Sequence, residues 1–259
     1  MKYLSKEEIK ASAPAVFTQE AAAHLSEQYV HVPTINLIDD MEKLGWNVVE
    51  AKQTKGRKRS GEFSKHLVVF RNENVVIKSE DGETVYPQVI LQNSHDGASS
   101  FQFRAGLYRL VCTNGLVIAT KEFGATSLRH KGYTFEELKK VVVGLVEQLP
   151  VTVETLNKFR EVTLSEEQQI EIALRAIGIR FGESGAEVSA EEVLKPMRKE
   201  DEGNDLWSIF NRVQEKMVRG GFAYKAKTGR NKTARSIKNF SRDLELNEQL
   251  YSLALEFAN

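Results

Sequence analysis

The stretch VYPQVILQNSHDGASSFQFRAGL, residues 85–107, decides the fold. Phe101, Phe103, Ala105 and Leu107 alternate with Gln102, Arg104 and Gly106, a period of two that only a β-strand satisfies. Residues 85–92 form a second strand-like run, in which Pro87 points to an edge or a bulge. Between the runs lies NSHDGASS. Asp96-Gly97 is strong turn chemistry, and Asn93 and Ser94 can bond the turn's own backbone. The segment therefore reads as an antiparallel hairpin, with His95 as the one polar residue that the turn leaves unexplained.

The same logic extends outward. Residues 46–51 and 63–70 are strand-like and flank KQTKGRKRSGEFSK, which makes a second hairpin with a cationic tip. Residues 75–78 add a short strand, and LVIAT follows the turn Thr113-Asn114-Gly115. Helices are expected at 6–27 and from Pro33-Thr34, where Thr34 can cap and Ile35, Ile38, Met41 and Leu44 share a face until Gly45 ends it. From Thr134 the pattern changes to helix, with TFEELKKVVVGLVEQL, SEEQQIEIALRAIGIRF, DLWSIFNRVQEKMVRGG and LNEQLYSLALEFA. The expected fold is α+β. An antiparallel sheet with a basic β-hairpin and packed helices occupies 1–132, and a mostly helical region with a basic C-terminal segment occupies 133–259. Residues 181–205 read as a mobile connection.

With 259 residues the chain can bury a sizeable core. It has one cysteine, Cys112, which excludes a disulfide framework and a multi-cysteine zinc site. No apolar run approaches the length that spans a bilayer, and MKYLSKEEIK lacks a secretory apolar core. A cytoplasmic protein without membrane contact is the expectation. Lysine plus arginine and aspartate plus glutamate both number 36, yet the balance hides local fields. Lys52, Lys55, Arg57, Lys58, Arg59 and Lys65 face only Glu62 between 52 and 65. Arg212, Lys216, Arg219, Lys225, Lys227, Arg230, Lys232, Arg235, Lys238 and Arg242 face only Glu215 between 207 and 242.

Several chemistries compete for these residues. Cys112, His95 and Asn93 are the residue types of a nucleophile, base and orienting amide, but Cys112 sits in RLVCTNG, where a lone cysteine packs as a small apolar residue. His66, His95, His130, Asp96 and Glu62 have no ligand spacing beyond the pair His95-Asp96. Gly229 to Thr233 lacks the first glycine of a phosphate loop. Nucleic-acid binding uses the most features: a basic hairpin can track phosphates, and Phe63, Tyr86, Phe101, Phe103, Tyr108 and Tyr133 lie among cations, as base stacking requires.

Four motifs carry a resemblance: NSHDG (93–97), RLVCTNGL (109–116), FNRVQE (210–215) and NEQLYSLA (247–254). They resemble a large family of phage- and plasmid-encoded proteins that share a domain of unknown function, over about 34–257. Tyr251 stands where a typical member has Trp. The resemblance implies a mobile-element setting and no established activity. The order helix, Gly45-Trp46, strand, basic hairpin, further strands and helix is also similar to the core of ring-forming single-strand annealing recombinases.

The expected function is accordingly single-stranded DNA binding and annealing in recombination or replication. Lys52, Lys55, Arg57, Lys58, Arg59 and Lys65 would grip phosphates, Arg104 and Arg109 would line the groove, and Arg129 and Lys131 would extend it. Arg219, Lys225, Lys227, Arg230, Lys232 and Arg235 would capture a second strand or duplex. No cofactor is expected, whereas homo-oligomerisation into a ring or filament and contact with host or phage replication proteins are. One alternative is a metal-dependent nuclease or nucleotide hydrolase centred on His95 and Asp96, with Asn93 beside them. The other is an anti-defence protein that binds a host factor.

Overall fold

A computed structural model describes residues 2–25, 29–54, 61–78, 84–97, 101–109, 115–118, 126–129 and 133–258. It divides into two compact units, Met1–Pro150 and Val151–Asn259.

In the first unit, α1 (Lys6–Ser12) opens with a reciprocal capping box between Ser5 and Glu8. The helix expected to run to 27 stops early, because Pro14 cannot continue it and a 3-10 turn, Pro14–Phe17, follows. α2 (Thr34–Lys43) buries Leu37, Ile38 and Met41, and Gly45 reverses the chain at φ 82°. β1 (Asn47–Gln53) and β2 (His66–Arg71) pair antiparallel, with Gln53 opposite His66. The expected cationic hairpin is present, with its tip, 55–60, outside the described residues.

β3 (Ile77–Lys78), β4 (Thr84–Asn93) and β5 (Phe101–Arg109) follow, then β6 (Gly115–Ile118) and β7 (Thr126–Leu128). The sheet order is β1-β2-β4-β5-β6, with β3 beside β4 and β7 beside β5. β4 and β5 form the expected hairpin, with Gln92 opposite Gln102. β4 is nevertheless an inner strand. Pro87 fits there because β2 ends opposite Gln88 and β3 begins opposite Val85, so Pro87 sits where neither demands its missing N–H.

α3 (Phe135–Glu147) starts at Thr134, whose side chain accepts from Glu137 N, and buries Leu138, Val142 and Leu145. These residues join Ile9, Val16, Leu37 and Met41 over Val48, Val68, Phe70, Leu91, Phe101 and Phe103 in one core. α1, α2 and α3 therefore all pack on one face of the sheet. The first unit extends one helix past the change of pattern at Thr134, because α3 closes that core.

α4 (Leu149–Glu161) carries Pro150 in its first turn, where a missing N–H costs nothing. In the second unit, α5 (Glu166–Phe181) has a capping box between Ser165 and Gln168, and α6 (Ala190–Leu194) is capped by Ser189. α7 (Leu206–Arg219) is capped by Asp205 and is buried at every position from Leu206 to Met217. β8 (Ala223–Lys225) and β9 (Asn231–Thr233) form a small ribbon, and α8 (Phe240–Phe257) closes the unit from an Asn239 cap. Residues 181–205, expected as a mobile connection, are instead built in. Val193 and Asp201 are buried, and Arg198 reaches Glu215 with both Nη atoms at 2.5 Å.

Candidate functional site

The NSHDG loop sits in a buried polar cluster assembled from three separate stretches of chain. His66, Asn93, His95 and Thr34 are fully buried, and Ser94 nearly so. Thr34 Oγ1 is the hub. It lies 2.8 Å from His66 Nε2, 3.2 Å from His95 Nε2 and 3.0 Å from Asn93 Nδ2. With His66 neutral, proton counting gives the roles. His66 Nδ1 lies 2.9 Å from Ser64 O, a carbonyl that only accepts, so a neutral His66 donates there and presents its Nε2 lone pair. The single hydroxyl proton of Thr34 goes to that lone pair, while Thr34 Oγ1 accepts from Asn93 and from the Nε2–H of His95.

A strap, residues 18–25 and 29–31, ties the cluster down. Ala22 N donates to His95 O at 3.4 Å, and His24 Nε2 lies 3.3 Å from Asp96 O. The His31 ring centroid is 4.7 Å from that of His95, and the His66 centroid is 5.1 Å from it. His31 donates to Thr18 O, and Thr18 in turn donates to Glu62 O. Gly97 is needed at φ 74°, and a Cβ there would come within 2.5 Å of Leu25. Four of the chain's five histidines thus converge, of which the sequence singles out His66 and His95, together with His130, Asp96 and Glu62. The one signal in the sequence was register, since His66 pairs directly with Asn93 across β2 and β4. Thr34, expected as a helix cap, makes no cap hydrogen bond, and Pro33 takes the N-cap position.

Asp96 Oδ1 accepts from Ser94 at 2.7 Å. Among the described residues no three His, Cys, Asp or Glu side chains are disposed to hold a metal ion. Cys112 and His130 lie outside the described residues.

The expected DNA-binding residues are distributed as follows. Lys55, Arg57, Lys58, Arg59 and Lys131 lie outside the described residues, and Arg109 is described only as backbone at the end of β5. Lys65 is half-buried beside β2, and Arg129 is exposed after β7. Lys52 is exposed and pairs with Glu50 at 2.5 Å. Register places Lys52, Leu67, Gln92 and Gln102 in one row, and Glu50, Val69, Ile90 and Arg104 in the next. Both rows lie on the face opposite α1, α2 and α3, so Lys52 and Arg104 share a face, three strand spacings (roughly 14 Å) apart across the sheet and one row apart along it. Gln92 donates to Gln102 at 3.1 Å and Arg104 to the same oxygen at 3.4 Å.

Of the expected aromatics, Phe101 and Phe103 are placed otherwise than a stacking platform needs, while Phe63 and Tyr86 are half-buried and the Tyr108 side chain lies outside the described residues. Phe101 and Phe103 are fully buried under the helices, because the alternation that makes β5 a strand turns them inward. Tyr133 lies against Phe101 and donates to Asp40 at 2.6 Å. Burial, then this hydrogen bond, pushes its pKa well above the ordinary tyrosine value.

Among the second unit's cations, Arg212 and Lys216 are buried in α7, contrary to their place in the basic run. Arg212 donates to the carbonyls of Asp201, Leu194 and Gly203, and burial lowers its pKa. Arg180 caps the end of α7 through the carbonyls of Lys216 and Met217. Arg219 approaches Glu215 at 3.4 Å, and Lys225 pairs with Glu187 at 3.2 Å. Lys227, Arg230, Lys232 and Arg235 are exposed and make no ion pair among the described residues.

Residues 21–250 match the family described as "Domain of unknown function (DUF932)". The chain is 35% identical over 256 residues to UPF0380 protein YfjQ of Escherichia coli (strain K12), which covers 97% of this chain and 90% of that relative. The same identity and coverage hold for UPF0380 protein YafZ of Escherichia coli (strain K12). No solved structure matches.

Proposed function

The chain belongs to the DUF932 family, and from that premise we propose that it binds single-stranded DNA on the face of its sheet opposite α1, α2 and α3. There it promotes annealing of complementary strands in the recombination or replication of a phage or plasmid. The supporting observation is the placement of Lys52 and Arg104 on that face, beside the Gln92–Gln102 ladder and flanking the start of the basic 54–65 loop. Cations spaced across a sheet can hold a phosphate backbone while the bases stay free to pair.

The chemistry asks for no cofactor, since base pairing drives annealing. It asks for more than one copy, since one sheet spans few nucleotides. Because Phe101 and Phe103 belong to the core, this face grips by charge and amide contacts rather than by those two rings. A hydrolase centred on His95 and Asp96 gains no comparable support, because both residues already serve the buried loop network.

The test is fluorescence anisotropy with a labelled single-stranded oligonucleotide, together with a strand-annealing assay on complementary oligonucleotides. The protein should bind with affinity falling steeply as salt rises, and should accelerate annealing. Arg104→Ala should weaken binding to every sequence alike. Indifference of the wild-type protein to single strands would remove the reading.

A further inference from the structure

We infer that the β8–β9 ribbon is a separate contact for B-form duplex DNA, entering its major groove. The inference rests on the reading of the chain as a DNA-binding protein, but on different residues.

The ribbon is built to hold its shape. Its tip closes by Gly229 N to Ala226 O at 2.7 Å and Ala226 N to Arg230 O at 2.9 Å, with Gly229 at φ 76°. That is a tight turn followed by a left-handed glycine, the usual three-residue hairpin closure. Its base is pinned by Gly221 N to Ala234 O and Ala234 N to Phe222 O, both 2.9 Å. A Cβ on Gly220 would lie 2.4 Å from Ala234 O, so only glycine lets the strands approach there. Glu187 adds a two-way backbone bridge to Lys225 on the other side of β8. One face is anchored: Phe222 is buried, Tyr224 lies 5.2 Å from Phe181, and Arg180 stacks on Phe222.

The opposite face is exposed, with Lys225 on it paired to Glu187 at 3.2 Å. Pairing puts Ala223 with Thr233 and Lys225 with Asn231, all four exposed. The tip adds Lys227 and Arg230, and Lys232, opposite Tyr224 in the register, is exposed on the edge strand. No acidic residue occurs from Lys216 to Arg242. A two-stranded ribbon with side chains is about as wide as the roughly 12 Å major groove of B-form DNA, and this outer face is small enough to enter. Asn231 and Thr233 are groups that bond base edges, while the cations flank them where the phosphates run. The major groove of A-form RNA is too narrow to admit such a ribbon.

The experiment measures anisotropy of three labelled probes on the full chain: a DNA duplex, an RNA duplex of the same sequence and a DNA single strand. The variants are Lys227→Ala/Arg230→Ala/Lys232→Ala and, for comparison, Arg104→Ala. The ribbon variant should bind duplex DNA more than about tenfold more weakly. Its log-affinity against log-salt slope should flatten by about 2.7, the share of three phosphate contacts. Its single-strand affinity should stay at the wild-type value, which also shows that the variant is folded. Equal losses on single and double strands, no loss on the duplex, or equal wild-type affinity for duplex RNA would each overturn the assignment. Wild-type binding to duplex but not to single strands would sink the single-strand proposal and leave the ribbon standing.

Discussion

The Thr34 hydroxyl holds together side chains that begin far apart in the sequence. Thr34→Val keeps the shape but removes the oxygen that the Asn93 amide and the His95 N–H both meet. Losing a buried acceptor costs about 1–3 kcal/mol for each such donor. Urea unfolding should therefore show a loss of about 2–4 kcal/mol for Thr34→Val, while Thr34→Ser stays within about 1 kcal/mol of wild type. Equal stability of the two variants would mean that the hydroxyl is dispensable. Tyr133 gives a second prediction, in alkali. Its folded pKa is raised by burial and by Asp40, so its contribution is complete below the ordinary tyrosine value of 10.0 and is lost as pH rises above it. Tyr133→Phe should cost about 1 kcal/mol at neutral pH and flatten part of the stability decline above pH 10, followed by urea titration at stepped pH. At this scale the sequence was half legible. Asp96-Gly97 announced a turn, but no local pattern told that His24, His31 and His66 would gather around it, because long-range register brings them together.

Elements were legible where local chemistry and tertiary packing agree. The β1–β2 and β4–β5 hairpins follow from alternation and from turn residues, and α3 follows from Thr134 and its apolar stripe. They were misread where packing overrides pattern. Residues 18–25 are alanine-rich, yet they serve as a strap over the NSHDG loop instead of a helix, because Pro14 interrupts the helix before them. α7 reads as polar-rimmed, yet it is buried all round, because Arg198 pairs with Glu215 and Gln214 donates to Asn247 at 2.7 Å. The Glu215 side chain is only 2% exposed. Removing the guanidinium with Arg198→Ala leaves it to Arg219 alone and should destabilise the protein by about 2–3 kcal/mol, read as a lowered urea midpoint. An unchanged midpoint would show that Arg219 suffices.

For the whole molecule, formal neutrality conceals an uneven field. Of the ten cations between 207 and 242, Arg212 and Lys216 are spent inside the helical unit, and Lys227, Arg230, Lys232 and Arg235 remain on its surface. In the sheet unit, Lys52 and Arg104 stand on the sheet face opposite α1, α2 and α3. Charge counting found these segments without separating structural cations from available ones, since that depends on which backbone carbonyls a side chain meets after folding. The measurement that bears most directly on the DNA-binding account is the salt dependence of single-strand affinity for wild type and for Arg57→Ala/Lys58→Ala/Arg59→Ala. The account predicts weaker binding for every sequence and a slope flattened by about 2, at about 0.7 per lost phosphate contact. An affinity and slope unchanged in the triple variant would contradict it.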